Sequence, residues 1–329
     1  MFIFSDSSLF VIKHRKEAFR QVFRDHWEIY KEEYSTRDIE DESVQKMLSC
    51  GEGANGYAEY ICTHCGEGRK IVPFTCKSRF CPSCGKRYTD EWVRRVKGAI
   101  LDLTHRHIVF TIPEELREII CADRNLLKEM VDAAATVCKE IMRQWRNIKG
   151  ITTGILIVIH TFGRDLKFNP HIHMLLTEGG FTKEKAWVNI PYISYKALRK
   201  KWQYHLLTRL KESLPRTYEN SRLIDYLFRE KENGFYVYAR DRVKGLRHII
   251  AYIARYMSRP AIALSRIISY NGQEVIFYYE DQDTGEDQIC TLPALEFINL
   301  LVSHIPEKNF KMVRRFGLYA RKTRDFSKR

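Results

Sequence analysis

The sequence predicts an α+β fold in which an antiparallel sheet is flanked by helices. Three observations lead there. Residues 151–161, rich in Ile and Val, and 171–177 read as strands, and the turn-forming stretch 163–169 between them makes an antiparallel hairpin. Residues 265–269 and 274–279 flank Tyr270-Asn271-Gly272-Gln273, and Asn-Gly suits a tight turn. Helical spacing recurs around these hairpins, most clearly in Leu126, Leu127, Met130, Val131, Ala134, Val137 and Ile141.

Taken in order, residues 8–35 read as a charged amphipathic helix and 39–48 as a second, short one. A cysteine-rich segment, 50–84, follows, and its many glycines mark turns. A helix over 89–103 leads into a strand over 107–112, closed by Pro113. The helix over 124–148 precedes the first hairpin. Residues 194–213 read as helix, 235–239 as strand, and 243–258 as a helix that stops before Pro260. After the Asn-Gly hairpin, a helix over 293–303 tolerates its proline in the first turn. The organisation expected from this pass is an N-terminal helical segment (1–45), a cysteine-rich module (46–100), a main domain (101–285) and a basic C-terminal helical segment (286–329).

The net charge is +14 over 329 residues, an excess that favours phosphate-rich partners. It is concentrated. Residues 62–99 carry nine Lys/Arg against three Asp/Glu, and residues 307–329 carry nine against two. The longest apolar stretch, 150–163, is too short for a transmembrane span and contains His160. The first ten residues lack the pattern of a secretory signal. A cytoplasmic protein without disulfides is therefore expected.

Six of the nine cysteines fall between positions 50 and 84. In a reducing compartment such clustering points to metal. Cys62-Thr63-His64-Cys65 and Cys81-Pro82-Ser83-Cys84 are two C-x-x-C knuckles with fifteen residues between them. Each presents two thiolates, so Cys62, Cys65, Cys81 and Cys84 would close a tetrahedral shell around a structural Zn²⁺. Cys50 and Cys76 are left over; they either join a second site, with His64, or are buried thiols. Arg69, Lys77, Arg79, Lys86 and Arg87 surround the knuckles and are candidate DNA contacts.

Asn169-Pro170-His171-Ile172-His173-Met174 places two histidines on one strand face, because strand side chains alternate. Should the hairpin turn at Asp165 and Leu166, His160 stands opposite His171 and shares that face. One residue of slip would turn it away, leaving His105 or His107 as the third imidazole. Three neutral imidazoles without a carboxylate leave open positions on a divalent ion, Mg²⁺ or Mn²⁺, which could polarise a phosphate. Nitrogen donors suit Mn²⁺ better.

Tyr252 and Tyr256 are four apart on the expected helix 243–258 and share a face. Each hydroxyl can attack phosphorus once a metal has polarised the ester. Arg255 and Arg259 beside them could hold the DNA backbone.

The ordered set is a cysteine module ending in Cys-Pro-Ser-Cys-Gly, a Phe110–Pro113 strand, His-Thr-Phe-Gly from His160, Asn-Pro-His-Ile-His-Met, then Tyr-Ile-Ala-Arg-Tyr and Met-Ser-Arg-Pro. It resembles the two-tyrosine HUH transposases of the insertion-sequence ninety-one type over roughly residues 45–320. The resemblance implies a central antiparallel sheet with the histidine pair on a middle strand and the tyrosine helix near it. It implies rolling-circle transposition: cleavage of single-stranded DNA at transposon ends and target through a 5′-phosphotyrosine intermediate. His171 and His173 would then be metal ligands, and Tyr252 and Tyr256 nucleophiles. A plasmid replication initiator or relaxase of the same class, and a zinc-dependent DNA-binding protein without catalysis, are the competing readings.

Overall fold

The computed structural model describes residues 6–144, 150–239, 242–245, 247–249, 251, 261–281 and 284–320. The fold is α+β around a central antiparallel sheet, as the sequence predicts. Contacts divide the chain into two compact units, each discontinuous in sequence: Met1–Glu91 with Gly163–Lys167 and Ser258–Lys308, and Trp92–Phe162 with Phe168–Met257 and Asn309–Arg329. The segments expected from sequence, 1–45, 46–100, 101–285 and 286–329, follow chain order and do not coincide with this grouping. None of the helices among the described residues is long and apolar enough to cross a membrane.

In the first unit, α1 (Asp6–Glu33) and α2 (Asp38–Leu48) precede a two-stranded ribbon, β1 (Tyr57–Ile61) and β2 (Arg69–Pro73), and then α3 (Pro82–Lys97) begins. The ribbon has no counterpart in the sequence reading, where its glycines suggested turns only. α3 starts seven residues earlier than expected, because the second knuckle forms its first turn. A three-stranded sheet, β9 (Ile267–Tyr270), β10 (Glu274–Glu280) and β11 (Asp287–Pro293), is followed by α8 (Ala294–Val302). Phe19, Phe23, Trp27 and Tyr30 recur every three or four residues along α1, so they line one face. They pack into one core with Met47, Phe277 and Phe297. Aromatic burial of this kind is the main favourable term in a unit of this size.

In the second unit, the sheet runs β12–β4–β5–β3–β7, with β6 added to β5 and β8 to β3. These strands are β3 (His105–Phe110), β4 (Thr152–Phe162), β5 (Phe168–Phe181), β6 (Trp187–Asn189), β7 (Val237–Tyr238), β8 (Arg242–Val243) and β12 (Val313–Gly317). The helices are α4 (Arg117–Ala122), α5 (Leu126–Gln144), α6 (Tyr195–Ser213) and α7 (Tyr218–Glu230). Ser194 caps α6 and Thr217 caps α7 through their side-chain oxygens. Residues 313–317 form a strand, not a helix as the basic tail suggested, because the half-buried Val313, Arg315 and Gly317 complete the edge of β4.

Alternation divides the central sheet's two faces. Ile108, Phe110, Ile155, Ile157, Ile159, Ile172, Met174 and Leu176 pack with α5 and α6 in the main core. The intervening residues, among them Leu156, Val158 and Leu175, form a smaller cluster with Val96 and Tyr319 on the other face. That face carries the histidines.

Candidate metal centres and the histidine face

The β4–β5 register pairs His160 directly with His171, and Val158 with His173. This is the register expected from a turn at residues 165–166. In that turn the Gly163 N–H donates to the Lys167 carbonyl at 3.0 Å, and Leu166 sits in the left-handed region at φ 70°. Ring centroids of His160 and His173 lie 4.7 Å apart, and those of His171 and His173 4.9 Å. The ligand atoms of His160, His171 and His173 all fall within 4.8 Å of one another.

The local chemistry sets the rings up for a cation. Nδ1 of His171 lies 2.8 Å from the Asn169 carbonyl. A carbonyl only accepts, so Nδ1 carries the proton and Nε2 keeps its lone pair. Burial pushes the pKa of His171 down. Burial, then the neighbouring imidazoles His160, His171 and His107, push that of His173 well below the ordinary value. Neutral rings are what a metal requires. The set is three nitrogens with no carboxylate, which suits a divalent ion of intermediate softness and leaves positions for other oxygens.

His105, one of the alternatives for the third imidazole, is used otherwise. Its Nδ1 faces the Leu103 carbonyl at 2.7 Å and its Nε2 the Tyr319 hydroxyl at 2.6 Å. Both ring nitrogens are thus satisfied. His107 joins the face beside His173 and was visible in the sequence only as such an alternative. Tyr252, Tyr256, Arg255 and Arg259 lie outside the described residues.

The cysteines assemble differently from the sequence expectation. Cys81 and Cys84 meet Cys50 and Cys76, with all four sulfurs within 4.8 Å of one another. Cys62 and Cys65 are exposed. The reason is the ribbon. Cys62 follows the far end of β1, five residues beyond the pair Tyr57–Pro73 at its base. At about 3.3 Å per residue that carries the knuckle roughly 17 Å from the base, whereas Cys76 leaves β2 at the base itself. Sγ of Cys84 is 3.5 Å from that of Cys50 and 3.6 Å from that of Cys76. A hydrogen bond from the Cys76 thiol, the largest influence, brings the pKa of Cys81 down to about 5, against the effect of burial. Backbone N–H groups of Ser83 and Cys84 in the first turn of α3 act in the same direction. The signal in the sequence was the closeness of Cys76 to the Cys81-x-x-Cys84 knuckle.

Arg69, Lys77, Arg79, Lys86 and Arg87 are all exposed in the first unit. Arg79 stacks over Tyr88 at 4.3 Å, while Arg69 and Lys86 make surface ion pairs with Glu59 and Asp90 at 3.2 Å. Such pairs are weak enough to exchange for phosphate.

Comparison with known proteins matches the chain to transposases, and its cysteine segment to a zinc-binding domain. A family described as "Putative transposase" matches residues 154–325, and a "Transposase zinc-binding domain" matches residues 22–112. The chain is 32% identical over 306 residues to the transposase for insertion sequence element IS801 of Pseudomonas savastanoi pv. phaseolicola, covering 89% of this chain and 73% of the relative. It is 24% identical over 322 residues to the putative transposase y4qJ of Sinorhizobium fredii, covering 92% and 80%. No solved structure matches significantly. The four-cysteine cluster lies inside the zinc-binding match and supports a structural zinc. The chain therefore belongs to the insertion-sequence ninety-one type of transposases, DNA-cleaving enzymes with an N-terminal zinc-binding domain.

Proposed function

We propose that this transposase cuts and rejoins single-stranded DNA through a tyrosine nucleophile and a divalent ion held by His160, His171 and His173. The observation that supports it most is the convergence of those three imidazoles within 4.8 Å on one sheet face. The ion, Mn²⁺ or Mg²⁺, would supply Lewis-acid polarisation of the scissile phosphate. Neutral imidazoles add no negative charge, so an anionic phosphodiester is not repelled from the site.

The phenol of Tyr252 or Tyr256 attacks phosphorus. The new bond is phenolic oxygen to phosphorus, and the bond that breaks joins phosphorus to the 3′-oxygen. A 5′-phosphotyrosine and a free 3′-hydroxyl result, the phenolic proton passing overall to the leaving oxygen. A 3′-hydroxyl can then attack the phosphotyrosine and reverse the exchange on a new strand. Two tyrosines allow two such links, as strand transfer from a transposon end to a target requires. Arg255 and Arg259 would hold the backbone, and Arg69, Lys77, Arg79, Lys86 and Arg87 would grip DNA beside the zinc-binding cluster. The site of action is the cytoplasm, at the cell's own DNA.

The test mixes the full-length protein with Mn²⁺ or Mg²⁺ and labelled single strands carrying element ends. A denaturation-resistant adduct is expected. It should be absent in His171→Ala and in the Tyr252→Phe plus Tyr256→Phe variant, each still binding DNA. DNA binding with no adduct under any condition overturns the catalytic reading in favour of a zinc-dependent binding protein.

A further inference from the structure

With Cys50, Cys76, Cys81 and Cys84 gathered into one cluster, the knuckle Cys62-Thr63-His64-Cys65 remains unassigned at the tip of the β1–β2 ribbon. It is shaped as a metal half-site. The Cys62 N–H donates to the Gly68 carbonyl at 2.7 Å, and the Gly66 N–H donates back to the Cys62 carbonyl at 2.9 Å. Gly66 takes a left-handed φ of 70° that other residues rarely adopt. A Cβ at Gly68 would stand 3.2 Å from that of Cys62. The backbone N–H groups of Gly68 and Glu67 hydrogen-bond the Cys65 sulfur and favour its thiolate.

Two thiolates complete half of a tetrahedral shell. Both cysteines are exposed, and neither belongs to a metal-capable group among the described residues. The ribbon beneath them is equally unfinished. Tyr57, Tyr60, Ile61, Ile71 and Phe74 are between 52% and 61% exposed, and Val72 is 40% exposed. The register puts Tyr57, Ile61 and Ile71 on one face and Tyr60 and Val72 on the other. A lone two-stranded ribbon that is apolar on both faces is marginally stable in water. Its acidic and basic residues balance, Glu59 and Glu67 against Arg69 and Lys70, so two copies of the ribbon do not repel one another. A second copy of the same ribbon satisfies both deficits together.

We infer that Cys62 and Cys65 bind a second zinc ion shared between two copies of this chain, each ribbon tip giving two thiolates to one four-sulfur shell. Four thiol protons leave to solvent as the ion binds, and one apolar face of each ribbon covers that of the other. A two-fold axis through the ion makes the contact self-complementary, as a closed dimer requires. The resulting pair carries two DNA-cutting chains, although the inference does not depend on the histidine face.

The experiment uses full-length protein in reducing buffer with added zinc. Light scattering after gel filtration gives the mass, and metal analysis gives the zinc content. The expected result is a dimer with about three zinc ions per two chains, one in each four-cysteine cluster and one shared. Cys62→Ser plus Cys65→Ser should give a monomer with one zinc per chain, held by its four-cysteine cluster. Zinc can also occupy the histidine face, so the zinc counts are taken in the His171→Ala background, which removes that site. His171→Ala alone should leave the mass as in the wild type, which keeps this result separate from the catalytic reading. A wild-type monomer overturns the inference, as does a double variant that remains dimeric. So does loss of one whole zinc per chain from the double variant, which would place the ion within a single chain, with His64.

Discussion

Nε2 of His107 lies 3.2 Å from Nδ1 of His173, diagonally across the β3–β5 ladder. The two rings are nearly parallel, 20° apart, with centroids at 5.5 Å. If His173 offers Nε2 to the ion, its Nδ1 carries the proton and donates to His107. On the proposed reading, His107 would act on the ion through His173, as the Asn169 carbonyl would through His171. Such outer partners fix the tautomer and orientation of a ligand and typically change metal affinity by about 10- to 100-fold.

His107→Phe should therefore weaken Mn²⁺ binding by roughly ten-fold or more in calorimetry on protein without DNA. His107→Gln, whose amide oxygen can accept the same proton, should recover most of the loss. Equal Mn²⁺ affinity in His107→Phe and wild type would remove the positioning role.

The four-cysteine cluster makes a contrasting prediction about folding. Cys50, Cys81 and Cys84 sit in the first unit's core among Phe19, Phe23 and Phe80. Binding free energy of a structural zinc is folding free energy. Cys76→Ser or Cys84→Ser should lose that zinc and lower the melting temperature, and a strong chelator should do the same to the wild type. Metal analysis alongside thermal unfolding checks both. A Cys76→Ser protein with full zinc content would show that Cys76 is not a ligand.

The sequence carried the histidine face almost completely, because it is built on one hairpin. The 2.0-residue period of β5 fixes His171 and His173 on one side, and the short turn fixes His160 opposite. The same logic failed for the zinc cluster. Both C-x-x-C pairs look alike in one dimension, but the ribbon between them moves one knuckle away from the other. Nothing local shows that Cys50, twenty-six residues upstream of Cys76, returns to it. The return depends on packing of α1 and α2, where Arg20 donates to the Cys50 carbonyl at 2.7 Å. β12 was missed for a related reason: its basic composition reads as tail, and only the free edge of β4 makes it a strand.

His105 predicts a pH dependence. Burial brings its pKa from 6.5 down to about 4. Above 6.5 both folded and unfolded chains keep the ring neutral. As pH falls from 6.5 towards 4, the unfolded chain takes up a proton that the folded protein refuses, so stability is lost through that window. Below 4 the folded ring protonates too and the loss levels off. The full effect is on the order of 3 kcal/mol. His105→Gln removes this titration, so the difference in unfolding free energy between wild type and variant should fall across pH 6.5 to 4. A difference independent of pH over that range would exclude the assignment. His171 and His173 titrate in both proteins and cancel.

Glu178, on β5, gives the last prediction. It is 4% exposed and accepts hydrogen bonds from Arg106 on β3 and from Nε of Arg242 on β8, the latter at 2.9 Å. Arg106, itself buried, also donates to the carbonyls of Pro191 at 2.9 Å and Ala239 at 3.2 Å. One carboxylate thus ties β5, β3 and β8 to two loops. Removing it leaves the Arg106 guanidinium with carbonyl dipoles alone, and an uncompensated buried charge costs about 3–5 kcal/mol. Glu178→Ala should lower the melting temperature by roughly 10 °C in a unit of this size. Arg242→Ala should cost far less, because Arg242 is 45% exposed in its side chain and water replaces it. Replacing both buried partners, Arg106→Met with Glu178→Leu, should restore much of the stability, since the cost lies in the unpaired charge and not in the missing ion pair. Thermal unfolding of the single and double variants separates these cases. A double variant no more stable than Glu178→Ala would mean that the carbonyl contacts of Arg106, and not its charge pairing, hold the strands together.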